Sequence, residues 1–293
     1  MKKSAHWYYP DGKSCHSMPY ADKKRAGESR PTTIKDARNL GLLPSVTGIL
    51  DIFDKPQLND WKLEQMTAEF QRRMSVLCGS SEPKEGVCDI ANRDFDALHE
   101  ELVTRAFEQV EDAADSGEKV HKGAELALQG LSYDENQPIL LPALKQEFPL
   151  KTFLAPIVAF VKEHGIRPTG HEVRIVNRAH GYAGTGDLPM TCSRGIGFLD
   201  FKTRKTKPGK PVKAYETQVM QVAAYHAAHY GTIPSRSDFV CGCNLFISTT
   251  EPGRIEAVWY SAEEIAAAYD AFVHACGLWR FIKGYDPRVA ANA

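Results

Sequence analysis

The stretch Gly184-Thr185-Gly186-Asp187, followed by Phe198-Leu199-Asp200-Phe201-Lys202-Thr203, decides the fold of this 293-residue chain. Successive side chains of a β-strand point to opposite faces, so Asp200 and Lys202 share one face of an apolar strand. The turn residues Thr191–Gly195 separate two apolar runs and predict a hairpin. Such a hairpin brings Asp187 beside Asp200 and collects two carboxylates and an amine at one site.

Two neighbouring carboxylates favour a bound cation. At a separation of about 4 Å they repel by about 4 kcal/mol at an effective dielectric constant near 20. Oxygen ligands favour magnesium or manganese over zinc. Lys202 beside such an ion can hold an attacking water and offset charge on phosphoryl oxygens. Asp-x-Lys and a glycine-rich turn ending in Asp are each common in proteins, so only the ordered set is specific.

The ordered set extends in both directions along the chain. Glu172, Gly-Thr-Gly-Asp187, Asp-Phe-Lys202 and Gln221-x-x-x-Tyr225 together resemble the PD-(D/E)XK nuclease superfamily, in particular its RecB-like branch. Upstream segments are similar to the family of the mitochondrial genome maintenance exonuclease and its bacterial and phage relatives: Pro44–Leu50, Lys55-Pro56, Trp61 and Gly117–His121. The likeness spans about residues 41 to 230. It implies an α/β fold with a restriction-endonuclease-like core, a mixed central sheet flanked by helices and an N-terminal helical layer.

The resemblance implies roles for individual residues. Asp187 and Asp200 would be metal ligands, joined by the backbone carbonyl of Phe201. Lys202 would be the catalytic lysine, and His121 would complete the metal site. Without the family, a lone histidine on a helix is more often structural or solvated. The implied cofactor is Mg²⁺ or Mn²⁺, as one or two ions.

Three further residues are expected to support this site. Gln221 and Tyr225 lie four residues apart on a predicted helix and therefore share one face, with Gln218 as a competitor for the role of Gln221. In the family this face points toward the metal and the nucleic-acid backbone, whereas an apolar stripe on the same helix favours simple packing. Glu172 occupies the position of an acidic residue that often precedes the hairpin. Its alternative role is a strand-edge partner for Arg174.

His121 is predicted to lie on a helix over Gly117–Leu128, because Asp115-Ser116 is a plausible N-terminal cap. Glu125 follows one turn later on the same face. It either orients His121 or lies in solvent.

Any nucleic-acid contact should be local, because the formal net charge is only -1. Basic residues are concentrated after the Asp-x-Lys strand, in a loop expected to be flexible and suited to phosphates. The alternative is a solvated charged loop. Ser45 is a plausible N-cap of a helix whose free N–H groups could hold a phosphate. The candidate contacts are Ser45, Thr47, Thr203, Arg204, Lys205, Lys207, Lys210 and Lys213.

Composition restricts location and cofactors. The chain lacks an 18-residue apolar run and a signal-peptide core, so we expect a cytoplasmic protein without membrane contact. Its seven cysteines are irregularly spaced, as in proteins with reduced thiols. Cys241 and Cys243 share one face of an apolar strand and read as buried small residues. No iron-sulfur cluster is expected, because the clustered C-terminal triad of cysteines is missing.

The domain pattern predicts one compact unit with three parts. Residues 1–40 form a polar arm, with Lys23-Lys24-Arg25 and Trp7-Tyr8-Tyr9, that is either a DNA-touching arm or a plain extension. Residues 41–165 form a helical region carrying His121, and residues 166–293 form the nuclease core. The predicted helices are Leu58–Leu77, Phe95–Ala114, Gly117–Leu128, Phe153–His164, Val212–Tyr230 and one opened by the capping box Ser261–Glu264. The predicted strands are 170–178, 181–190, 196–203, 238–248 and 254–260.

The expected function is a metal-dependent DNA exonuclease that hydrolyses phosphodiester bonds. Single-stranded DNA is the favoured substrate, in recombination, repair or phage DNA metabolism, with stacking candidates Trp7, Tyr8, Tyr182 and Tyr215. The alternatives are a duplex-end exonuclease, a flap endonuclease and, in another class, an inactive DNA-binding or partner-binding subunit. The intact Asp, Asp and Lys argue against the inactive subunit.

Overall fold

The computed structural model describes residues 6–20, 25, 27–53, 63, 66–68, 70, 95–231 and 239–290, and of residues 95–103, 105–111 and 290 it describes the backbone only. Several predicted features lie outside these residues: Lys23-Lys24, Lys55-Pro56, Trp61 and most of the helix Leu58–Leu77.

The described part of the chain contains both strands and helices. The strands are β1 (Trp7–Tyr8), β2 (Ser17–Pro19), β3 (Ser29–Pro31), β4 (Leu43–Pro44), β5 (Pro138–Leu141), β6 (Gln146–Pro149), β7 (Arg167–Pro168), β8 (Val173–Asn177), β9 (Tyr182–Gly186), β10 (Leu188–Cys192), β11 (Gly195–Arg204), β12 (Val240–Ser248) and β13 (Ile255–Ser261). The helices are α1 (Ile34–Leu40), α2 (Val46–Leu50), α3 (Phe95–Leu128), α4 (Lys151–Glu163), α5 (Glu216–Tyr230), α6 (Ala262–Lys283) and α7 (Pro287–Ala290).

A five-stranded sheet forms the centre of the molecule, in the order β13-β12-β11-β10-β7. β11 and β12 are parallel, whereas the other pairs are antiparallel. One face packs against α5 and α6 through residues such as Phe198 and Val222. The opposite face packs against α3 and α4 through residues such as Leu199 and Phe201. The fold is therefore mixed α/β, with a mixed central sheet flanked by helices, as the sequence predicts.

The predicted strand 181–190 divides at Asp187. β9 pairs with β8 in a separate two-stranded sheet, and β10 joins the central sheet. Glycines allow close packing just before the break: a Cβ on Gly186 would lie 2.6 Å from the Phe198 ring, and one on Gly184 would lie 3.1 Å from the Tyr225 ring. Asp187 therefore lies where the two sheets meet, and its side chain is part of neither hydrophobic core.

The two helices predicted around Asp115-Ser116 form one continuous helix, α3, so the predicted cap is wrong. Asp115 instead pairs with Lys119 one turn later, at 2.7 Å. The Ser116 hydroxyl donates to the Leu140 carbonyl at 2.6 Å. Both side chains thus have partners while the helix continues through this stretch without a break. A Cβ on Gly117 would lie 2.9 Å from Thr203 Oγ1, so the glycine lets α3 approach β11.

Some of the described residues among 1–40 belong to the core, which corrects the expectation of a wholly polar arm, whereas most of the others are exposed or half-buried. Trp7 and Tyr8 form β1, which pairs with β4, and their exposed fractions are 3% and 4%. The Trp7 ring contacts the rings of Trp279 and Tyr285. Tyr182 is fully buried as well. Three of the four stacking candidates, Trp7, Tyr8 and Tyr182, are therefore unable to stack bases at the surface.

Other predicted boundaries agree closely with the structure. Ser45 caps α2 by accepting from the Gly48 N–H at 2.9 Å, although the helix is only five residues long. The capping box of Ser261 and Glu264 opens α6. α5 begins at Glu216 rather than Val212, because residues 205–215 form an anchored loop. No described helix is long and apolar enough to cross a membrane.

Gly186→Ala should lower the free energy of unfolding by about 1–3 kcal/mol, because the added methyl group collides with the buried Phe198 ring. Gly277→Ala is the control: it lies in α6, where the nearest atom to an added Cβ is Arg280 Nη2 at 3.8 Å. Its higher helix propensity should raise the free energy of unfolding by about 1 kcal/mol. Urea unfolding followed by circular dichroism measures both, and equal stability of Gly186→Ala and the parent chain would contradict the packing described.

Candidate active site

Asp187, the residue just before β10, lies opposite Asp200 of β11. β10 and β11 pair with Leu188 opposite Leu199, and one further step of this register sets Asp187 opposite Asp200. The backbone N–H of Phe201 donates to Asp187 Oδ2 at 2.7 Å. The N–H and C=O of one strand residue point toward the same neighbour, so the Phe201 carbonyl lies on the same edge. The hairpin thus brings both carboxylates and this carbonyl to one place.

Asp200 is almost completely buried, with 1% of its surface exposed. Its Oδ2 forms an ion pair with Lys202 Nζ on the same strand face. The same oxygen accepts from Asn244 Nδ2 at 2.8 Å. Asn244 in turn accepts from the Tyr260 hydroxyl at 2.6 Å. A polar chain across three neighbouring strands therefore fixes the Asp200 carboxylate.

Asn244 and Tyr260 are functional candidates that the sequence pattern does not predict. The parallel register of β11 and β12 sets Asp200 opposite Asn244, and the antiparallel register of β12 and β13 places Tyr260 near it. Asn244 is fully buried within an otherwise apolar strand. A single amide in such a run is a signal, because a buried polar side chain needs a partner.

His121 approaches the carboxylates from α3. Its Nδ1 lies 3.6 Å from Asp187 Oδ2, and its ring lies 5.8 Å from the Phe201 ring. Burial, together with the nearby positive charge of Lys202, lowers the pKa of His121 to about 4. The imidazole is therefore neutral at pH 7, which is the form that can bind a metal ion.

The acidic side chains of the site have raised pKa values. Burial and the neighbouring Asp187 raise the pKa of Asp200 to about 6, against the opposing effect of Lys202. Burial also raises the pKa of Asp187, which Lys202 and the Phe201 N–H partly offset. Burial and then Asp187 and Glu125 raise the pKa of Glu172 to about 7. The site thus concentrates negative charge beyond what its own lysine balances, and a cation would relieve it.

Glu172 lies at the rim of the site, before β8 rather than within a strand. Its backbone N–H donates to the Asp187 carbonyl at 2.8 Å. Its φ of 46° falls in the left-handed region, which is uncommon for a residue other than glycine. Such conformations cost about 1–3 kcal/mol and are concentrated at functional sites. This turn holds the Glu172 carboxylate beside that of Asp187.

An open cavity of about 620 Å³ lies between α3 and the junction of the sheets. Its wall includes His121, Glu172, Asp187 and Thr203. Glu125 also lines it and binds Lys122 at 2.5 Å and Gln129 at 3.1 Å. Glu125 is therefore a residue of the cavity wall, and its carboxylate binds side chains that lie one turn away along the chain.

Gln221 and Tyr225 are buried on the face of α5 that points to the sheet. The Gln221 amide donates to the Tyr225 hydroxyl at 2.7 Å. The negative charges of Asp200 and Asp187 contribute to the raised pKa of Tyr225, after the larger effect of burial. Gln218 accepts from the Tyr215 N–H at 2.8 Å and so completes the helix cap. Of the two competing glutamines, Gln221 is the one that lies next to Tyr225.

The candidate nucleic-acid contacts fall into two groups. Ser45 is 3% exposed and its hydroxyl caps α2, whereas its neighbour Thr47 is exposed. Arg204 donates to the Lys213 carbonyl at 2.7 Å and to the Tyr215 hydroxyl at 2.5 Å, so it is a structural residue of the loop. The contacts of Arg204 correct its predicted phosphate contact, whereas a phosphate at the N–H groups that follow Ser45 stays a prediction. The side chains that remain accessible are Thr47, Thr203, Lys205, Lys207, Lys210 and Lys213.

Metal ligands are not fully assembled in this arrangement. Within the described part of the chain, no three His, Cys, Asp or Glu side chains are placed so that together they could hold an ion. Both described contacts of Asp187 use Oδ2, and so do those of Asp200. Cys241 and Cys243 are buried in β12, as predicted, and are free thiols.

Comparisons with known proteins do not assign a family. No protein-family model matches the chain, and no curated protein is significantly similar to it. A functional assignment therefore depends on the residues of the site and their geometry.

Glu172→Gln should raise the melting temperature of the protein in a chelating buffer at pH 8 and change it little at pH 4.5. The pKa of Glu172 is raised from 4.5 to about 7, so the folded state binds more protons than the unfolded state in this window. The stability that this group contributes is complete below pH 4.5 and is lost as the pH rises through 7. A neutral glutamine avoids that loss.

Glu251→Gln is the matched control with the opposite sign. The hydrogen bond from Thr206, and then Arg254, hold the pKa of Glu251 below its ordinary value of 4.5. Its stabilisation is present above pH 4.5 and is lost as the pH falls further. This variant should therefore have a lower melting temperature at pH 8, with the deficit shrinking toward pH 4. Thermal unfolding scans from pH 4 to 8 measure the melting temperatures of both variants. Shifts of the melting temperature with the same sign for both variants would refute the charge assignment.

Proposed function

We propose that this chain is a magnesium- or manganese-dependent deoxyribonuclease of the PD-(D/E)XK type, an exonuclease that hydrolyses phosphodiester bonds. The observation that carries the proposal is that Asp187, Asp200 and Lys202 lie close together beside the first residue of β10. Their order along the chain is that of the RecB-like branch. The parallel pair β11–β12, with α5 between its strands in sequence, supports a restriction-endonuclease-like core.

The residues present fit a hard cation. Asp187 and Asp200 each use Oδ2 for their described contacts, which leaves Oδ1 of each to bind an ion, with the Phe201 carbonyl on the same edge. Magnesium commonly takes one or two carboxylates and completes its shell with water and substrate phosphate, so three clustered side chains are not required. His121, neutral at pH 7, would be a further ligand. When bound, the ion would stabilise negative charge and make a water more acidic.

The protein's own residues would orient the reaction. Lys202 has an ammonium held by Asp200 and lies where it can donate to a nucleophilic water or to a phosphoryl oxygen. Asn244 and Tyr260 fix the Asp200 carboxylate and act as positioning residues. Thr203 lines the cavity and would contact the sugar-phosphate backbone, whereas the buried Gln221–Tyr225 pair would support the site from beneath.

Single-stranded DNA is the favoured substrate, on the basis of the upstream resemblance. The exposed lysines beyond β11 would contact its phosphates, and Tyr215 is the remaining stacking candidate. A duplex-end exonuclease and a flap endonuclease use the same chemistry on other DNA structures. We place the activity in the cytoplasm, in recombination, repair or phage DNA metabolism. A binding subunit without turnover is the alternative of another class, and the Asp200–Lys202 ion pair argues against it.

Labelled single strands, duplexes and flaps incubated with Mg²⁺ or Mn²⁺ test the proposal. Asp200→Asn and Lys202→Met should each reduce cleavage by about 10³-fold or more, because each removes a group that stabilises the transition state. Asn244→Leu should reduce it by about 10–100-fold, as expected for a residue that supports a ligand. Lys162→Met, an exposed lysine on α4, is the control and should cleave normally.

Different outcomes separate the alternatives. Cleavage of single strands that shortens them from an end supports an exonuclease, and internal cuts at flap junctions support the endonuclease. Binding of DNA with no cleavage in either metal would favour the inactive subunit. Undiminished cleavage by both Asp200→Asn and Lys202→Met would refute the site.

A further inference from the structure

The basic loop between β11 and α5, residues 205–215, is anchored to the rest of the protein. Arg254, at the end of the turn between β12 and β13, reaches across to it. Its Nη1 donates to the Lys207 carbonyl at 3.1 Å, and its Nη2 donates to the Lys210 carbonyl at 2.6 Å. The loop is thus held by a side chain from a distant part of the sequence, which corrects the expectation of a flexible segment.

Two carboxylates hold the Arg254 guanidinium in place. Nη1 lies 2.5 Å from Glu251 Oε2, and Nη2 lies 2.9 Å from Glu256 Oε2. Each terminal nitrogen therefore binds one carboxylate and one loop carbonyl. The planar guanidinium can satisfy four acceptors in this way, which a lysine ammonium cannot reproduce.

Other contacts fix the loop on both sides of Arg254. Thr206 exchanges two hydrogen bonds with Thr250, at 2.9 and 2.8 Å. The Val212 N–H donates to Glu256 Oε1 at 2.6 Å. At the far end, Arg204 donates to the Lys213 carbonyl at 2.7 Å. The loop is therefore bound at its start, middle and end.

Three of the four lysines of the loop, Lys207, Lys210 and Lys213, share a common arrangement. The carbonyls of Lys207, Lys210 and Lys213 each accept a hydrogen bond from an arginine. All three lysine residues are exposed to solvent. The arginines thus fix the backbone, and the ammonium groups remain available to an external anion. Arg254 offsets one of the two negative charges of Glu251 and Glu256, so the three lysines and Arg254 together carry four positive charges against these two negative ones, and the edge stays net positive.

The loop begins close to the candidate active site. Arg204 follows Lys202 by two residues on the same strand, which corresponds to about 7 Å along β11. Thr203, between them, lines the cavity. A DNA strand with one phosphate at Lys202 would therefore meet the loop within one or two nucleotides.

We propose that Arg254 is a positioning residue that holds Lys207, Lys210 and Lys213 as a preformed phosphate-binding edge for the nucleic-acid strand entering or leaving the active site. This inference rests on the proposed function for the identity of the ligand. A preformed edge binds more tightly than a mobile one, because the loop loses less conformational entropy on binding.

The test is a thermodynamic cycle on binding of a fluorescent single-stranded oligonucleotide, measured without divalent ions so that no strand is cut. Lys207→Gln/Lys210→Gln/Lys213→Gln should weaken the dependence of log K on log salt by about 2, because each phosphate contact on a single strand contributes about 0.7. Arg254→Lys retains the charge and should lower affinity by about 10-fold. Lys162→Gln is the control and should leave both quantities unchanged.

The coupling between the two sets of substitutions decides the role of Arg254. If Arg254 acts through the lysines, adding Arg254→Lys to the triple variant should have no further effect on binding. An undiminished 10-fold effect in the triple background, or unchanged affinity and salt dependence of Arg254→Lys, would overturn the proposal. Should Arg254→Lys fail to fold, Glu256→Gln serves instead, because it keeps the acceptor for Val212 and weakens one ion pair of Arg254.

The two proposals fail in different ways. A wild-type protein that binds single strands through the lysines and never cleaves them contradicts the nuclease and supports the binding edge. A wild-type protein that cleaves DNA, with an Arg254→Lys variant of unchanged KM, affinity and salt dependence, contradicts the binding edge alone. The absence of measurable binding by the wild-type protein at low salt would also overturn the binding edge.

Discussion

The hydrogen bond from the Phe201 N–H to Asp187 Oδ2 is the interaction on which the site depends. It occurs just before the first residue of β10, so a backbone donor that would otherwise pair with a strand binds a carboxylate instead. The bond holds Asp187 opposite Asp200 and beside the edge that carries the Phe201 carbonyl. A shift of one residue in the hairpin would move Asp200 and Lys202 to the other face of the sheet. The register of two strands therefore decides whether a site exists.

The same geometry creates an electrostatic strain that the fold only partly relieves. Two carboxylates and the nearby Glu172 lie in a partly buried space, and their pKa values are raised. Lys202, the Phe201 N–H and Asn244 offset some of this charge. Functional sites commonly carry such destabilising arrangements, which the surrounding structure maintains. A divalent cation is the simplest group that would complete the balance.

Local sequence patterns predict the central part of this arrangement and fail where distant segments meet. The period of two along β11 places Asp200 with Lys202, and the hairpin turn brings Asp187 to them. Asn244 could not be paired with Asp200 without knowing the register of a parallel strand that follows a long crossover. Arg254 was missed for the same reason, since it contacts a loop more than 40 residues earlier.

The predictions that the structure corrects fail for physical reasons. Asp115 and Ser116 resemble a helix cap, yet both lie inside the continuous helix α3, where Asp115 pairs with Lys119 of the same helix and Ser116 donates to the Leu140 carbonyl of β5. Trp7 and Tyr8 stand in a polar segment, and only the fold reveals the apolar pocket of Trp279 and Tyr285 that buries the first of them. The charge of Arg204 is visible in the sequence and predicts a phosphate contact, whereas its loop partners, the Lys213 carbonyl and the Tyr215 hydroxyl, are visible only in the fold.

Calorimetric titration of the protein with Mn²⁺ tests the central claim most directly, because binding is measured without any substrate. The parent chain should bind the ion saturably, and Asp187→Asn and Asp200→Asn should each weaken that binding by at least about 10-fold, since each removes one charged ligand. Asp134→Asn, in an exposed turn, should bind as the parent does. Equal affinity in the parent chain and both site variants would show that the two carboxylates do not hold a metal ion, and the account would be wrong.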